Sequence, residues 1–174
     1  MNQESIIHLR ALEMEDLDLL YEVENDTSLW SVGNTNVPYS RQNLIDYIAN
    51  STADIYTDKQ MRLMAEDENG NVIGIVDFIN FDPRHQRAEL GILIRKEWQG
   101  RGLGRQVVSR MLDYARDVLH LHQIYAIVAE SNEKAIKMLD AVGFKGDKML
   151  KDWLCRGAGY EDAWLFQCFL QKNK

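Results

Sequence analysis

The residues that most plainly could do chemistry are Gln99-Gly100-Arg101-Gly102-Leu103-Gly104-Arg105. They follow the apolar run Ile92-Leu93-Ile94 and open a long segment of helical periodicity. A glycine-rich turn between a buried strand and a helix suits an anion. Free backbone N–H groups and the helix dipole converge on one spot, and the missing side chains let phosphate oxygens approach the main chain. Lys96, Arg101 and Arg105 add positive charge there. Two common glycine loops are excluded. A dinucleotide-binding fingerprint would need a glycine where Arg105 stands, and a P-loop would need Lys-Ser/Thr, which is absent. The pattern present is Q-x-x-G-x-G, on Gln99, Gly102 and Gly104.

A second segment lies downstream, from Asn132 through Ala135, Met138 and Leu139 to Gly143 and Phe144. The four histidines form no metal set: His8 and His85 are isolated, and His120 with His122 is incomplete. No metal is expected.

Charge and composition limit the partners. The 174 residues carry 20 Lys+Arg against 27 Asp+Glu, a formal net charge of −7. Duplex nucleic acid calls for a basic face, because affinity there comes largely from counterion release, so no nucleic-acid partner is expected. An acidic balance mildly favours a cationic substrate such as an amine. Two cysteines, Cys155 and Cys168, cannot build a disulfide framework. The start MNQESIIHLR lacks the pattern of a signal peptide, and no apolar run has the length of a membrane span. The expectation is a cytoplasmic protein without a membrane partner, one domain over 1–174, with homo-oligomerisation left open.

The elements that must position these groups follow from periodicity. A strand is predicted at 6–12, a helix at 15–23, and a second helix N-capped by Ser40. Strands follow at 62–67, 72–81 and 87–94, with turns at Glu68-Asn69-Gly70-Asn71 and Asp82-Pro83-Arg84-His85. A long helix is expected at 102–119, a strand at 124–129, a helix at 133–141, and a closing hairpin of 149–155 and 163–170. Residues 26–37 fit no period and read as a surface loop. The fold class is α+β, a mixed, mostly antiparallel central sheet with one local parallel pair, flanked by four helices.

Both motifs, in this order and with a strand between them, resemble those of the GNAT superfamily of N-acetyltransferases. The second segment is similar to that family's N-x-x-A-x-x-L-Y-x-x-x-G-F signature. LRALEMEDL, HQRAELGILI and GYEDAWLFQCFL extend the likeness to its spermidine and ribosomal-protein N-acetyltransferase branch. The resemblance implies a splayed parallel strand pair that receives the pantetheine arm of acetyl-CoA. Backbone groups of Ile92, Leu93 and Ile94 would bond that arm. The pyrophosphate would rest on Gln99, Gly100, Arg101, Gly102, Leu103, Gly104 and Arg105. Asn132, Lys134 and Ala135 would line the other side. The implied reaction is direct attack of an amine on the acetyl thioester in a ternary complex. Glu89, in Ala88-Glu89-Leu90, matches the family's glutamate and would be the base. Its structural alternative is a strand carboxylate paired with Arg87 or Arg62.

The sequence departs from the family in one catalytic place. Leu139 stands where a tyrosine usually protonates the leaving thiolate; Tyr125, Tyr160 or a water could substitute. The acceptor would be a small-molecule amine, a polyamine such as spermidine among them, or a protein N-terminus. A non-catalytic acetyl-CoA-binding regulatory module is the other reading. Glu22, Glu24, Asp26 and Asp77 could serve an amine, and Trp30 reads as a packing anchor or a substrate stacker.

Overall fold

The computed structural model describes residues 6–30, 36–52 and 54–170. In chain order the elements are β1 (His8–Ala11), α1 (Leu17–Glu24), α2 (Arg41–Asn50), α3 (Ile55–Asp58), β2 (Met61–Glu66), β3 (Val72–Asp82), β4 (Arg87–Ile94), α4 (Leu103–Asp117), β5 (Gln123–Ala129), α5 (Glu133–Ala141), β6 (Lys145–Arg156) and β7 (Gly159–Phe169). The strands form one seven-stranded sheet in the order β1-β2-β3-β4-β5-β7-β6. Among the described residues only β4 and β5 run parallel. The mixed, mostly antiparallel sheet expected from the sequence is therefore present, with one more helix than expected. That helix, α3, is a single turn too short to show a period. The Asp54 carboxylate accepts from Tyr56 N–H at its start, and Lys59 closes it in a left-handed conformation.

Each face of the sheet has its own cover. On one side α4 buries Leu103, Val107, Val108, Met111, Leu112 and Ala115, three and four residues apart, against sheet residues including Val76, Phe78, Ala88, Leu90 and Ile124. Leu139 of α5 and Phe144 join the same core. On the other side Leu20 of α1 and Leu44 of α2 pack on Met64 and Ile75. Ser40 caps α2 as expected: its hydroxyl accepts from Asn43 N–H. The edge strand β1 is tied down by Arg10, which donates to Asp16 at 2.7 and 2.8 Å and to Glu66 at 2.6 Å. Burial alone would raise the Asp16 carboxyl, but Arg10 and the Glu13 N–H hold it below its usual range.

The closing hairpin is longer than the periodicity suggested. β6 begins at Lys145, because its early residues lie on a polar edge strand with no apolar alternation to betray them. On β7, Glu161 accepts from Ser131 N–H at 2.9 Å and from Arg156 Nε at 2.6 Å. It thereby fixes the loop between β5 and α5. These donors, Ser131 first and the guanidinium next, pull the Glu161 carboxyl down to about 2.

Two predictions follow from this packing. Leu139 is 2% exposed, so Leu139→Tyr overfills a closed site at a cost of about 1–3 kcal/mol. The melting temperature should fall by about 2–4 °C for each kcal/mol lost. The second concerns pH. A carboxyl whose folded value lies below its unfolded value of about 4.3 stabilises fully above that value and loses the contribution as pH falls through the folded one. The melting-temperature gap between wild type and Glu161→Gln should be constant from neutral pH to about 5, then shrink down to pH 2.

Candidate functional site

β4 and β5 part company after three residues. β4 pairs with β3 from Arg87 to Ile94, but with β5 only at Arg87↔Gln123, Ala88↔Ile124 and Glu89↔Tyr125. From Gln123 to Ala129, β5 is paired with β7 instead. The start of β5 is pinned to the preceding turn, where His122 and Gln123 N–H both donate to Gln86 C=O at 2.7 and 3.3 Å. Beyond Glu89 the two strands diverge, and the β5-facing edge of β4 over residues 90–94 has no strand partner among the described residues. A main-chain edge left without a partner presents donors and acceptors to whatever enters the gap.

The glycine loop lies at the end of that edge. Gly100 and Gly102 have φ of +76° and +75°, and a side chain at either would point into open space. Gly102 precedes the first residue of α4, and no side chain caps that helix start. The first-turn N–H groups are thus left for an outside acceptor. Arg101 is exposed and stacks over the Trp98 ring at 4.9 Å. Gln99 donates through its side-chain amide to Ile94 C=O at 2.8 Å, closing the loop onto β4. Arg105 is exposed, whereas Leu103 is buried, so only its main chain can face the gap. Gly104 has a different task. A Cβ there would lie 2.8 Å from Met138 Sδ, so this glycine lets α4 approach α5.

On the far side, Asn132 caps α5, its side-chain oxygen accepting from Ala135 N–H at 3.2 Å. Lys134 is exposed and Ala135 half-buried beside it. A free strand edge leading to an uncapped helix start fits a ligand with an extended amide arm and a pyrophosphate, the form of acetyl-CoA.

Glu89 occupies the last rung before the strands part. Its neighbours across β3 run Ile75, Asp77, Ile79, so by strand alternation it shares the face covered by α1 and α2. Neither expected arginine pairs with it. Arg87 turns to Asp82 at 3.2 Å, and Arg62 binds Asp77 at 2.8 Å and Glu24 at 2.6 Å. Instead, Asn80 donates to Glu89 Oε2 at 2.8 Å, and Tyr125, its partner on the same rung, interacts with the same carboxylate. Burial, and then the Glu89 charge, raise the Tyr125 phenol above its ordinary value.

Asn80 was not singled out by sequence. It stands at a bulge in β3 with φ of +50°, a conformation asparagine tolerates better than most residues. The signal available was its place two residues before Asp82-Pro83. Tyr160 is 68% exposed beside the hairpin turn. Trp30 is an anchor: its indole N–H donates to Glu24 C=O at 3.0 Å. Residues 31–35 of the loop after α1 lie outside the described residues.

A groove of about 680 Å³, lined by Asp18, Glu22, Arg95 and Trp98 among others, lies between α1 and the loop before α4 and includes none of Glu89, Asn80 and Tyr125. No helix among the described residues is long and apolar enough to cross a membrane.

Comparison with known proteins agrees with this geometry. Residues 7–145 match the family model of the acetyltransferase (GNAT) domain. The chain is 32% identical over 159 residues to spermidine N(1)-acetyltransferase of Vibrio cholerae, covering 91% of this chain and 90% of that one. It is 31% identical to the Escherichia coli K12 protein of the same name, over 95% and 86% of the two chains. A crystal structure of the Vibrio cholerae spermidine N-acetyltransferase with CoA and spermine superposes with a TM-score of 0.84 at 31% identity, covering 95% of this chain and 96% of that one. The chain belongs to the GNAT family of acetyltransferases, which it matches in sequence and in fold.

Proposed function

We propose that this chain acetylates a primary amine of a polyamine such as spermidine, with Glu89 as the base. The observation that carries the reading is the place of Glu89, on the rung where β4 and β5 separate, with no arginine or lysine paired to it among the described residues. Acetyl-CoA supplies the acetyl group as an activated thioester. Main-chain groups of Ile92, Leu93 and Ile94 bond the arm and polarise the thioester carbonyl. The α4 start, with Gln99 to Arg105, holds the pyrophosphate, and Asn132, Lys134 and Ala135 line the opposite wall.

An aliphatic ammonium has a pKa near ~10.4, so most of the amine at neutral pH carries a proton that blocks attack. The ammonium gives that proton to solvent before attack, and Glu89 accepts the next one from the nitrogen, directly or through water, as the C–N bond forms; such a group contributes about 10²–10⁴-fold. The acceptor class is supported by the names of the relatives and by the net charge of −7, which draws cations. Glu24 and Asp77 are poor candidates for holding the polycation, because Arg62 already binds both.

A thiol-release assay over polyamines, amino sugars and N-terminal peptides tests the reading. Spermidine or spermine should turn over fastest. Turnover of N-terminal peptides alone would move the acceptor to proteins, and tight acetyl-CoA binding without turnover of any amine would favour a regulatory module. In calorimetry, Gly102→Val should weaken acetyl-CoA binding at least about tenfold, because its side chain would occupy the space left open above the helix start. Gly104→Val should instead lower the melting temperature, through its clash with Met138.

A further inference from the structure

Glu89 can take a proton from the amine, but the departing thiolate needs one too. Leu139, which stands where the family carries its tyrosine, has no proton to give and is buried in the core. Tyr160 is beside the exposed turn between β6 and β7. Tyr125 lies opposite Glu89 on the last rung of the parallel pair, on the same face, where the gap between the strands begins.

We propose that Tyr125 is a second proton-transfer residue, delivering its hydroxyl proton to the leaving sulfur and recovering it from Glu89. The proposal rests on the reading of Glu89 as the base. The balance closes without another reactant. The amine nitrogen bonds to the acetyl carbon and gives a proton to Glu89, and the C–S bond breaks with its electron pair on sulfur. Tyr125 protonates that sulfur, and the proton on Glu89 passes to the phenolate. Amine and thioester become amide and thiol, and both side chains end as they began.

The surroundings suit this task. Glu89 Oε2 is held by the Asn80 amide, a neutral donor that orients the carboxylate without taking up Oε1. The charged groups that act on the phenol are Glu89 and Arg87 from β4 and Asp82 from β3, with Glu89 the strongest of them. From β7 the opposite residue is the neutral Gln167, whose amide is engaged by Gln123 at 2.9 Å. Burial and the Glu89 charge keep the phenol protonated, as an acid must be before it acts. The register places Tyr125 and Glu89 side by side, and catalytic hydrogen bonds commonly tighten only when substrates arrive.

The test uses Tyr125→Phe, Glu89→Gln and the double variant, in the full chain with acetyl-CoA and spermidine. Tyr125→Phe keeps the ring, so its melting temperature and its KM for acetyl-CoA should stay close to wild type while kcat falls at least about tenfold. The double variant should be no slower than Glu89→Gln alone, because one broken relay cannot be broken twice. A wild-type kcat in Tyr125→Phe, or losses that multiply in the double variant, would overturn the relay and leave Glu89 as the base. A wild-type kcat in Glu89→Gln would remove both. A readout without coenzyme completes the test. The ring-carbon NMR resonance of Tyr125 should titrate above the ordinary tyrosine range and move to lower pH in Glu89→Gln, and a titration unmoved by that substitution would contradict the coupling.

Discussion

Three rungs of parallel pairing, from Arg87↔Gln123 to Glu89↔Tyr125, join the two halves of the sheet. On one side β1 to β4 form an antiparallel meander; on the other, β5, β7 and β6 form a second antiparallel set. Neighbouring strands twist relative to each other, and a pair held at one end only will spread toward the other. Both partners are already committed, β4 to β3 and β5 to β7, so neither bends to close the gap. The helix α4 follows β4 in the chain and packs on the sheet, so its start comes just after the free edge. Strand edge, helix start and the Glu89–Tyr125 rung are thus consequences of a single interrupted ladder.

Charge is distributed around that ladder with economy. Arg62, half-buried beside α2, is stabilised in its charged form by Asp77 and Glu24, and its guanidinium also lies 5.9 Å from the Tyr47 ring. Arg87 is spent on Asp82, in the turn that leads into β4. These pairings hold strands and helices together. They also keep the strong cations off Glu89, which is left to the Asn80 amide and the Tyr125 phenol.

Much of this was legible in the sequence, and the remainder was hidden for identifiable reasons. The β4 strand and α5 were read with their observed limits, because apolar alternation and helical spacing are strong signals there. Glu89 was singled out by its motif, but its partner Asn80 was not. Asn80 reaches it only because a bulge turns the end of β3, and no local period announces a bulge. The glycines of the loop look alike in sequence and differ in duty: Gly102 supplies a left-handed turn beside open space, and Gly104 supplies clearance for Met138. Only the third dimension separates those two reasons for lacking a side chain. Tyr125 appeared as one of two tyrosines that could stand in for the acid, and its register with Glu89 distinguishes it from Tyr160.

The central claim is that the unpaired edge of β4 and the uncapped start of α4 together seat the coenzyme. Amide hydrogen exchange, followed residue by residue with and without saturating acetyl-CoA, reads that claim directly. Bound coenzyme should slow exchange at the amides of residues 90–94 that are not bonded to β3, and at the first turn of α4, with little change along β1 and β2. Saturable binding that leaves those amides as fast as in the free protein, or protects a different surface, would contradict the account.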